Sequence, residues 1–324
     1  MLRGAAVLPL ALQAGQDVLH PHSSAEHRIT VLWWVMLAGA WIGFALVAIL
    51  LLLGWFRRRQ ESLPFGGNER TATRLVVGLG IVTPIVVLTG LFVWSDIFVV
   101  RSTAAPNASS TSLTVKVTGH QWFWEIRYPG MRAVTANELH IPVDTRVDVV
   151  GTTADVIHSL WVPELNRKID LIPGRENSVL LDANRAGTYL GQCSEFCGLQ
   201  HAHMELIVVV ESRSRFEQWL HGEETDAQPP NGAAAKQGLA VFMSAGCADC
   251  HQIRGTPATS QVGPDLTHLA ARSTLAAGTI ANDRAGLARW LRDPQGVKPG
   301  NKMPALPLKA DEIAALVAYL KGLK

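Results

Sequence analysis

A chain of 324 residues is long enough for about two domains, and a formal net charge of +2 gives no case for a nucleic-acid surface, which needs a clustered basic face. Hydrophobic residues make up 48% of the chain, which points toward a membrane. The four cysteines form two close pairs, Cys193 with Cys197 and Cys247 with Cys250; none is left for a structural disulfide, so both pairs are expected to serve cofactors.

Residues 1–26 read as a possible signal or N-terminal tail. One Arg, a short apolar run and small residues near Ala14 and Gly15 resemble a weak secretory signal, and a plain tail fits as well.

Residues 27–105 read as a transmembrane helix hairpin. Val31–Phe56 carries no charge, and Leu75–Val100 carries only Asp96 near one end. At 1.5 Å per residue each run makes about 39 Å of helix, enough to cross a hydrocarbon core of about 30 Å with some tilt. Trp33, Trp34, Trp55 and Trp94 lie near the ends, where interfacial aromatics belong. Pro84 is expected to kink the second helix. Arg57, Arg58, Arg59, Arg70 and Arg74 make the connection cytoplasmic by the positive-inside rule. Everything after Arg101 is then periplasmic or its equivalent.

Residues 106–221 change pattern. Short β-branched or alternating runs (Leu113–Val117, Trp122–Tyr128, Arg146–Val150, Ser178–Leu181, Leu206–Val210) are separated by turn signals such as Pro129-Gly130 and Pro173-Gly174. Many short strands with such punctuation predict a β-sandwich or barrel, closed by a short helix over Phe216–His221. Residues 193–204, Cys-Ser-Glu-Phe-Cys-Gly-Leu-Gln-His-Ala-His-Met, crowd soft and borderline donors onto one segment: Cys193, Cys197, His201 and Met204. A thioether beside thiolates and imidazole points to copper held for electron transfer, since Met is a poor zinc ligand. His158, in the run Asp155–Pro163, is the expected fourth kind of partner. A mononuclear blue-copper site needs only one thiolate, so the extra thiol points to two coppers bridged by Cys193 and Cys197. An extended segment would turn His203 away, as a structural residue. A reducible disulfide with unrelated neighbours leaves Met204 unexplained.

Residues 222–235, rich in acidic residues, Pro, Gly and Ala, read as a flexible linker. Residues 236–324 switch to helical patterning. Cys247-Ala-Asp-Cys250-His251 is the C-x-x-C-H attachment signature of haem c, in which the two thiols form thioethers and His251 is the proximal ligand. Met303 is the candidate sixth ligand, and Met/His ligation raises the potential. Met243 competes on chemistry, but it precedes the attachment site on the same helix and is expected in the core.

Several motifs in order (Gly119-His-Gln-Trp122-Phe-Trp124, the Asp155–Leu165 run, Lys168–Arg175 and Cys193–Met204) together with the hairpin resemble subunit II of haem–copper cytochrome c oxidase across roughly residues 27–220. The C-terminal part is similar to class I cytochromes c, which makes the whole resemble a fused, caa-type subunit. The resemblance implies a cupredoxin-like Greek-key barrel with dinuclear CuA, one copper taking the main-chain carbonyl of Glu195. It also implies a magnesium or manganese ion shared with subunit I through the Glu195 side chain, and electron entry at Trp122. In the C-terminal part it implies that Pro264 accepts the N–H of His251, and that Gly238, Phe242 and Tyr319 mark the crossing of the terminal helices. Implied partners are subunit I, other oxidase subunits, a cytochrome c or other donor, and a bacterial inner membrane with both cofactor domains on its periplasmic side. Family members commonly carry a glutamate seven residues before the proline of the second helix; Val77 stands there instead.

The function implied is electron entry to a terminal oxidase: donor to haem c, to CuA, to haem a of subunit I, where oxygen is reduced to water and protons are translocated. The electron-entry subunit of a nitric oxide reductase, a copper-delivering chaperone and a membrane-tethered carrier without a partner subunit are the other readings.

Overall fold

The computed structural model describes residues 16–57, 69–101, 103, 105–106 and 110–324. Most of the possible signal segment, together with Arg58 and Arg59, lies outside the described residues. Two compact units divide the chain: residues 27–104, and a larger one joining residues 1–26 to residues 105–324.

The smaller unit holds most of the two long apolar helices. The first runs from Ser24 to Arg57 (α1), and the stretch Glu69–Val100 forms the second. Their large apolar side chains, among them Trp41, Ile42, Leu51, Phe56, Val76 and Phe92, are exposed. Apolar side chains left exposed along most of two long helices match a lipid environment. The second helix is built of α2 (Glu69–Val77), a π-helical turn at Gly78–Val82, α3 (Thr83–Ser95) and a second π turn at Asp96–Val100. The irregularity falls just ahead of Pro84, whose missing N–H frees a carbonyl in the turn before it. At the end of the first π turn the Gly78 carbonyl accepts both the Thr83 N–H and, at 2.9 Å, its hydroxyl.

In the larger unit, ten strands make two five-stranded sheets packed face to face. One sheet has the order β3 (Val134–Ala136), β2 (Phe123–Arg127), β1 (Leu113–His120), β5 (Val147–Thr153), β8 (Asn177–Leu181). The other has β4 (Glu138–Pro142), β10 (Glu205–Glu211), β9 (Gly187–Cys193), β6 (His158–Trp161), β7 (Ile169–Leu171). Most pairs are antiparallel, but β1 runs parallel to β5 and β4 parallel to β10, as crossovers between the sheets require. Burial alternates residue by residue along β5 and through most of β1, which is the period of a strand with one face on a core. That core includes Val115, Val117, Trp124, Ile126, Leu139, Val149, Leu160 and Leu206. This two-sheet sandwich is the cupredoxin-like domain.

Helix α4 (Arg213–Glu224) follows, capped by Ser212, and α5 begins at Ala233, running to Ser244. The helix thus continues into the first residues expected as linker. The stretch between the two helices is tied down: Ala227 N–H donates to the Arg254 carbonyl at 3.1 Å, and the Thr225 carbonyl accepts from Arg254 and His268.

The remaining domain is helical, with α6 (Arg284–Arg292), α7 (Pro294–Val297), α8 (Ala310–Leu320) and a small hairpin of β11 (Thr274–Leu275) and β12 (Ile280–Ala281). Helices α5 and α8 cross at Gly238, where any Cβ would collide with the Ala315 carbonyl and Tyr319 Cβ. Phe242 meets the Tyr319 ring edge-on, centroids 6.1 Å apart. Met243 does not lie in the core expected for it. It is 36% exposed, because Phe242 takes the inward position and the next residue is carried about 100° around the helix, off the packed face.

Candidate metal and haem centres

The residues expected as copper donors come together where β6, β9 and the loop before β10 meet. Cys193 ends β9, Cys197 lies in the following turn, His201 opens a single 3₁₀ turn (His201–His203), and Met204 leads into β10. His158 opens β6, one strand across from β9. The two sulfurs are 3.8 Å apart. His158 Nδ1 lies 3.8 Å from Cys193 Sγ, and His201 Nδ1 lies 3.7 Å from Cys197 Sγ. Met204 Sδ is 3.9 Å from Cys197 Sγ, and the Glu195 carbonyl oxygen is 3.2 Å from Cys193 Sγ. Each thiol therefore has one imidazole, and each takes one further weak donor. His158, Cys193, Cys197 and Met204 are buried.

Soft donors at this spacing, walled off from water, fit a pair of copper ions better than the oxygen ligation of magnesium or calcium. The two thiols differ in their surroundings. A hydrogen bond from the Cys197 thiol, assisted by His158, holds the Cys193 thiol well below the usual range, and the same contact pushes Cys197 up.

The surroundings orient these ligands. His158 Nε2 lies 2.9 Å from Asp155 Oδ1, which fixes the ring so that Nδ1 faces the sulfur. Asp155 is itself held by the Gln121 and Val156 N–H groups, at 2.7 and 2.8 Å. A side chain at Gly119 would strike the His158 ring, so the absence of one leaves room for the imidazole. The Cys197 carbonyl accepts from Gln121 Nε2 at 2.7 Å and Trp122 Nε1 at 3.0 Å. Trp122 is half-buried, whereas Trp124 is fully buried in the sandwich core. The segment carrying His203 is a turn and not extended; His203 is nevertheless exposed, its Nδ1 2.9 Å from Gln200 Oε1.

Cys247, Cys250 and His251 sit at the end of α5 and the turn beyond it, around a cavity of about 330 Å³. His251 Nδ1 pairs with the Pro264 carbonyl at 2.8 Å, which would leave Nε2 as the atom able to hold a haem iron, and burial holds the imidazole toward its neutral form. A Cβ at Gly263 would overlap the His251 ring. Met303 lines the same cavity, while Met243 is absent from its walls. An apolar cavity joining two thiols, an oriented neutral imidazole and a thioether fits a covalently attached haem.

Part of the cavity wall belongs to the cupredoxin-like domain: His120, Gln121, Trp122, Phe123 and Asp155 line the same cavity. The two domains are joined there by many bonds. Glu138 Oε1 accepts from Ser273 N–H and Oγ, both at 2.6 Å, and from Thr274 N–H at 3.2 Å. Buried Arg272 donates to Thr135 Oγ1 at 3.3 Å, and Lys302 pairs with Asp155 at 3.4 Å. Sequence reasoning misses this seam, because its residues are ordinary polar ones scattered over both domains. Asp155 carried the one readable signal, an acid three residues before a candidate ligand histidine.

Soft metal donors on a rigid sandwich, with a haem cavity opening onto the same wall, suit the passage of single electrons; the class is that of an electron carrier joined to an apolar helix hairpin. The family model "Cytochrome C oxidase subunit II, periplasmic domain" matches residues 131–212, and the model "Cytochrome c" matches residues 235–324. Cytochrome c oxidase subunit 2 of Alkalihalophilus pseudofirmus is 33% identical over 297 residues, covering 87% of this chain and 84% of that one. The Bacillus subtilis protein of the same name is 32% identical over 223 residues, 66% of this chain and 63% of that one. A solved periplasmic domain of subunit II of cytochrome oxidase from Bradyrhizobium japonicum shares 34% identity, covers 36% of this chain and 94% of its own, and has a TM-score of 0.33. The chain belongs to the cytochrome c oxidase subunit II family, with a cytochrome c domain fused behind the copper domain, and it is anchored in a membrane by its two apolar helices.

Proposed function

We propose that this chain is the electron-entry subunit of a terminal oxidase, taking electrons at its haem domain and passing them through its copper domain to a partner subunit. The observation that carries this reading is the shared cavity: the haem-attachment cysteines and Trp122 line one space, and the Trp122 indole reaches the Cys197 carbonyl.

Cys193, Cys197, His158, His201, Met204 and the Glu195 carbonyl would hold two coppers; Cys247, Cys250, His251 and Met303 would hold haem c. When bound, each centre supplies a one-electron carrier. The residues of the chain do the rest. Asp155 holds the His158 tautomer, and the Pro264 carbonyl turns His251 toward the cavity. The strands that end at Cys193 and begin at His158 keep the donor set rigid, so that little reorganisation accompanies electron gain or loss. Burial excludes water from the thiols.

The partner is proposed as subunit I with the other oxidase subunits, where haem a accepts the electron, oxygen is reduced to water and protons are translocated. Support comes from the copper loop itself, where Phe196 and Leu199, one residue before and two after Cys197 in the chain, are 76% and 80% exposed; such apolar exposure suits an interaction surface. The Glu195 side chain is exposed beside them and free to share a magnesium or manganese ion with that partner. The donor is proposed as a cytochrome c or another small carrier, and the location as a bacterial inner membrane with both cofactor domains on the periplasmic side.

Metal and haem counting on the purified complex tests the assignment. Two coppers and one covalent haem c per chain are expected; a single copper with a blue-copper spectrum would overturn the dinuclear reading. Product analysis with oxygen and with nitric oxide separates the oxidase from the reductase alternative.

A further inference from the structure

Lys298 follows α7 and is 2% exposed, the most buried lysine of the seam between the two domains. Its Nζ donates to the main-chain carbonyls of His203 at 2.7 Å, Ala276 at 2.9 Å and Trp122 at 3.2 Å. Those carbonyls come from three separate places. Trp122 is on the turn between β1 and β2, His203 is in the copper loop, and Ala276 is in the β11–β12 hairpin of the haem domain. An ammonium offers three N–H donors and no acceptor, so donors and acceptors match one to one.

A buried ammonium is costly to desolvate. Burial pushes Lys298 down from the ordinary lysine value, Glu205 acts against it through space, and the three carbonyls converging on Nζ favour the protonated form, the one that can donate to all of them. An apolar side chain would fill the position without that cost, but it would leave three carbonyls without a donor. Adjacent contacts run along the same line. Gln200 Nε2 donates to the Pro299 carbonyl at 2.5 Å, and Glu205 N–H donates to the Ala277 carbonyl at 3.2 Å. Gly278 is packed so closely on Glu205 that a Cβ would collide with its side chain.

We infer that Lys298 is a positioning residue for electron transfer within the chain: it clasps the main chain of Trp122 and of the copper loop onto the haem domain, and so fixes the separation of the two centres. The inference rests on the electron-entry reading above. It adds that, beside the side-chain bonds of Glu138, Arg272 and Lys302, one ammonium ties the docking to main-chain acceptors.

The test uses the full-length holoprotein with Lys298→Met, which keeps the apolar stem and removes every donor, and Lys298→Arg, which keeps the charge on a planar fork unsuited to three converging carbonyls. Hydrogen exchange at the Glu205, Ser273 and Thr274 amides is expected to quicken about tenfold or more in Lys298→Met. Transfer from photoreduced haem to the copper centre is expected to slow by about the same factor. The copper paramagnetic signal and the haem absorption should stay those of the parent, and Lys298→Arg should fall between. Parent-like exchange and parent-like transfer in Lys298→Met would overturn the inference, as would loss of the copper signal, which would make Lys298 a support of the metal loop alone. If Lys298→Met does not assemble, Lys298→Arg decides, and parent values of both quantities overturn the clasp. A parent protein that passes no electron from haem to copper would instead sink the electron-entry reading, and exchange alone would then judge the clasp.

Discussion

Trp122 donates its indole N–H to the carbonyl of Cys197 at 3.0 Å, so the aromatic ring that lines the cavity beside Cys247 and His251 is hydrogen-bonded to a residue that carries one of the two candidate copper thiols. The second donor to that carbonyl, Gln121 Nε2 at 2.7 Å, belongs to the neighbouring residue. Replacing Trp122 with Phe therefore removes the indole bridge without leaving the carbonyl bare. Haem-to-copper transfer in the variant is expected to fall by about tenfold or more, equivalent to about 1.4 kcal/mol of barrier. Copper and haem spectra should be nearly those of the parent. Time-resolved absorption after photoreduction measures both, and an unchanged rate would remove Trp122 from the route.

Asp155→Asn probes the histidine that the sandwich buries. The carboxylate lies 2.9 Å from His158 Nε2 and is anchored by two N–H groups, so it both sets the tautomer and keeps the ring in place. Outer-shell partners of ligating histidines typically contribute about 10- to 100-fold to metal affinity. Copper retention against a chelator should drop by that order in the variant, with haem content unaffected. Equal copper retention would show that packing against Gly119 and Trp124 alone orients the ring.

Much of this site is legible in the sequence because its chemistry is local. Cys193 to Met204 spans one β-strand end and one turn, so donors close in sequence are necessarily close in space. His158 is legible only by chemical need, since its neighbour across the sheet is set by the β6–β9 pairing. Five strands are readable from β-branched runs, whereas β3 and β7 are three residues each and too short to show a period. β6 and β9 hide for another reason: His158, Ser159, Gly191, Gln192 and Cys193 are not strand-forming by composition, and tertiary pairing overrides propensity. Met243 is not legible, because soft character and position on a helix do not say which face is inward. Gly238 and Phe242 define that face only through α8, some seventy residues away. The docking of the two domains was illegible altogether, since Lys298, Glu138 and Arg272 look like surface residues until their partners are in place.

Met204→Leu separates the two cofactor sites. Met204 is 1% exposed with Sδ 3.9 Å from Cys197 Sγ, and Leu nearly conserves its volume, so the fold should lose less than about 1.5 kcal/mol. The copper absorption and paramagnetic spectra should change, while the haem c spectrum stays that of the parent. A change in the haem instead would mean that Met204 and Met303 had been assigned to the wrong centres.

Glu223 gives the pH dependence of the seam. It lies at the end of α4, 4% exposed, and burial pushes its carboxyl up to about 7, against the pull of Arg272 and Arg254. In the unfolded chain the same group ionises near the ordinary value of 4.5. Between those two values the folded protein holds a proton that the unfolded chain has released, so raising the pH favours unfolding across that window. Above about 7 both states are ionised and the effect levels off. The difference corresponds to on the order of 3 kcal/mol. Glu223→Gln, neutral at every pH, is expected to be more stable than the parent at about pH 8 and little different at about pH 4. Thermal unfolding of the detergent-solubilised holoprotein, followed by haem absorbance across that range, measures it. A parent stability that rises with pH through the window would mean that the two arginines outweigh burial and hold Glu223 ionised in the seam.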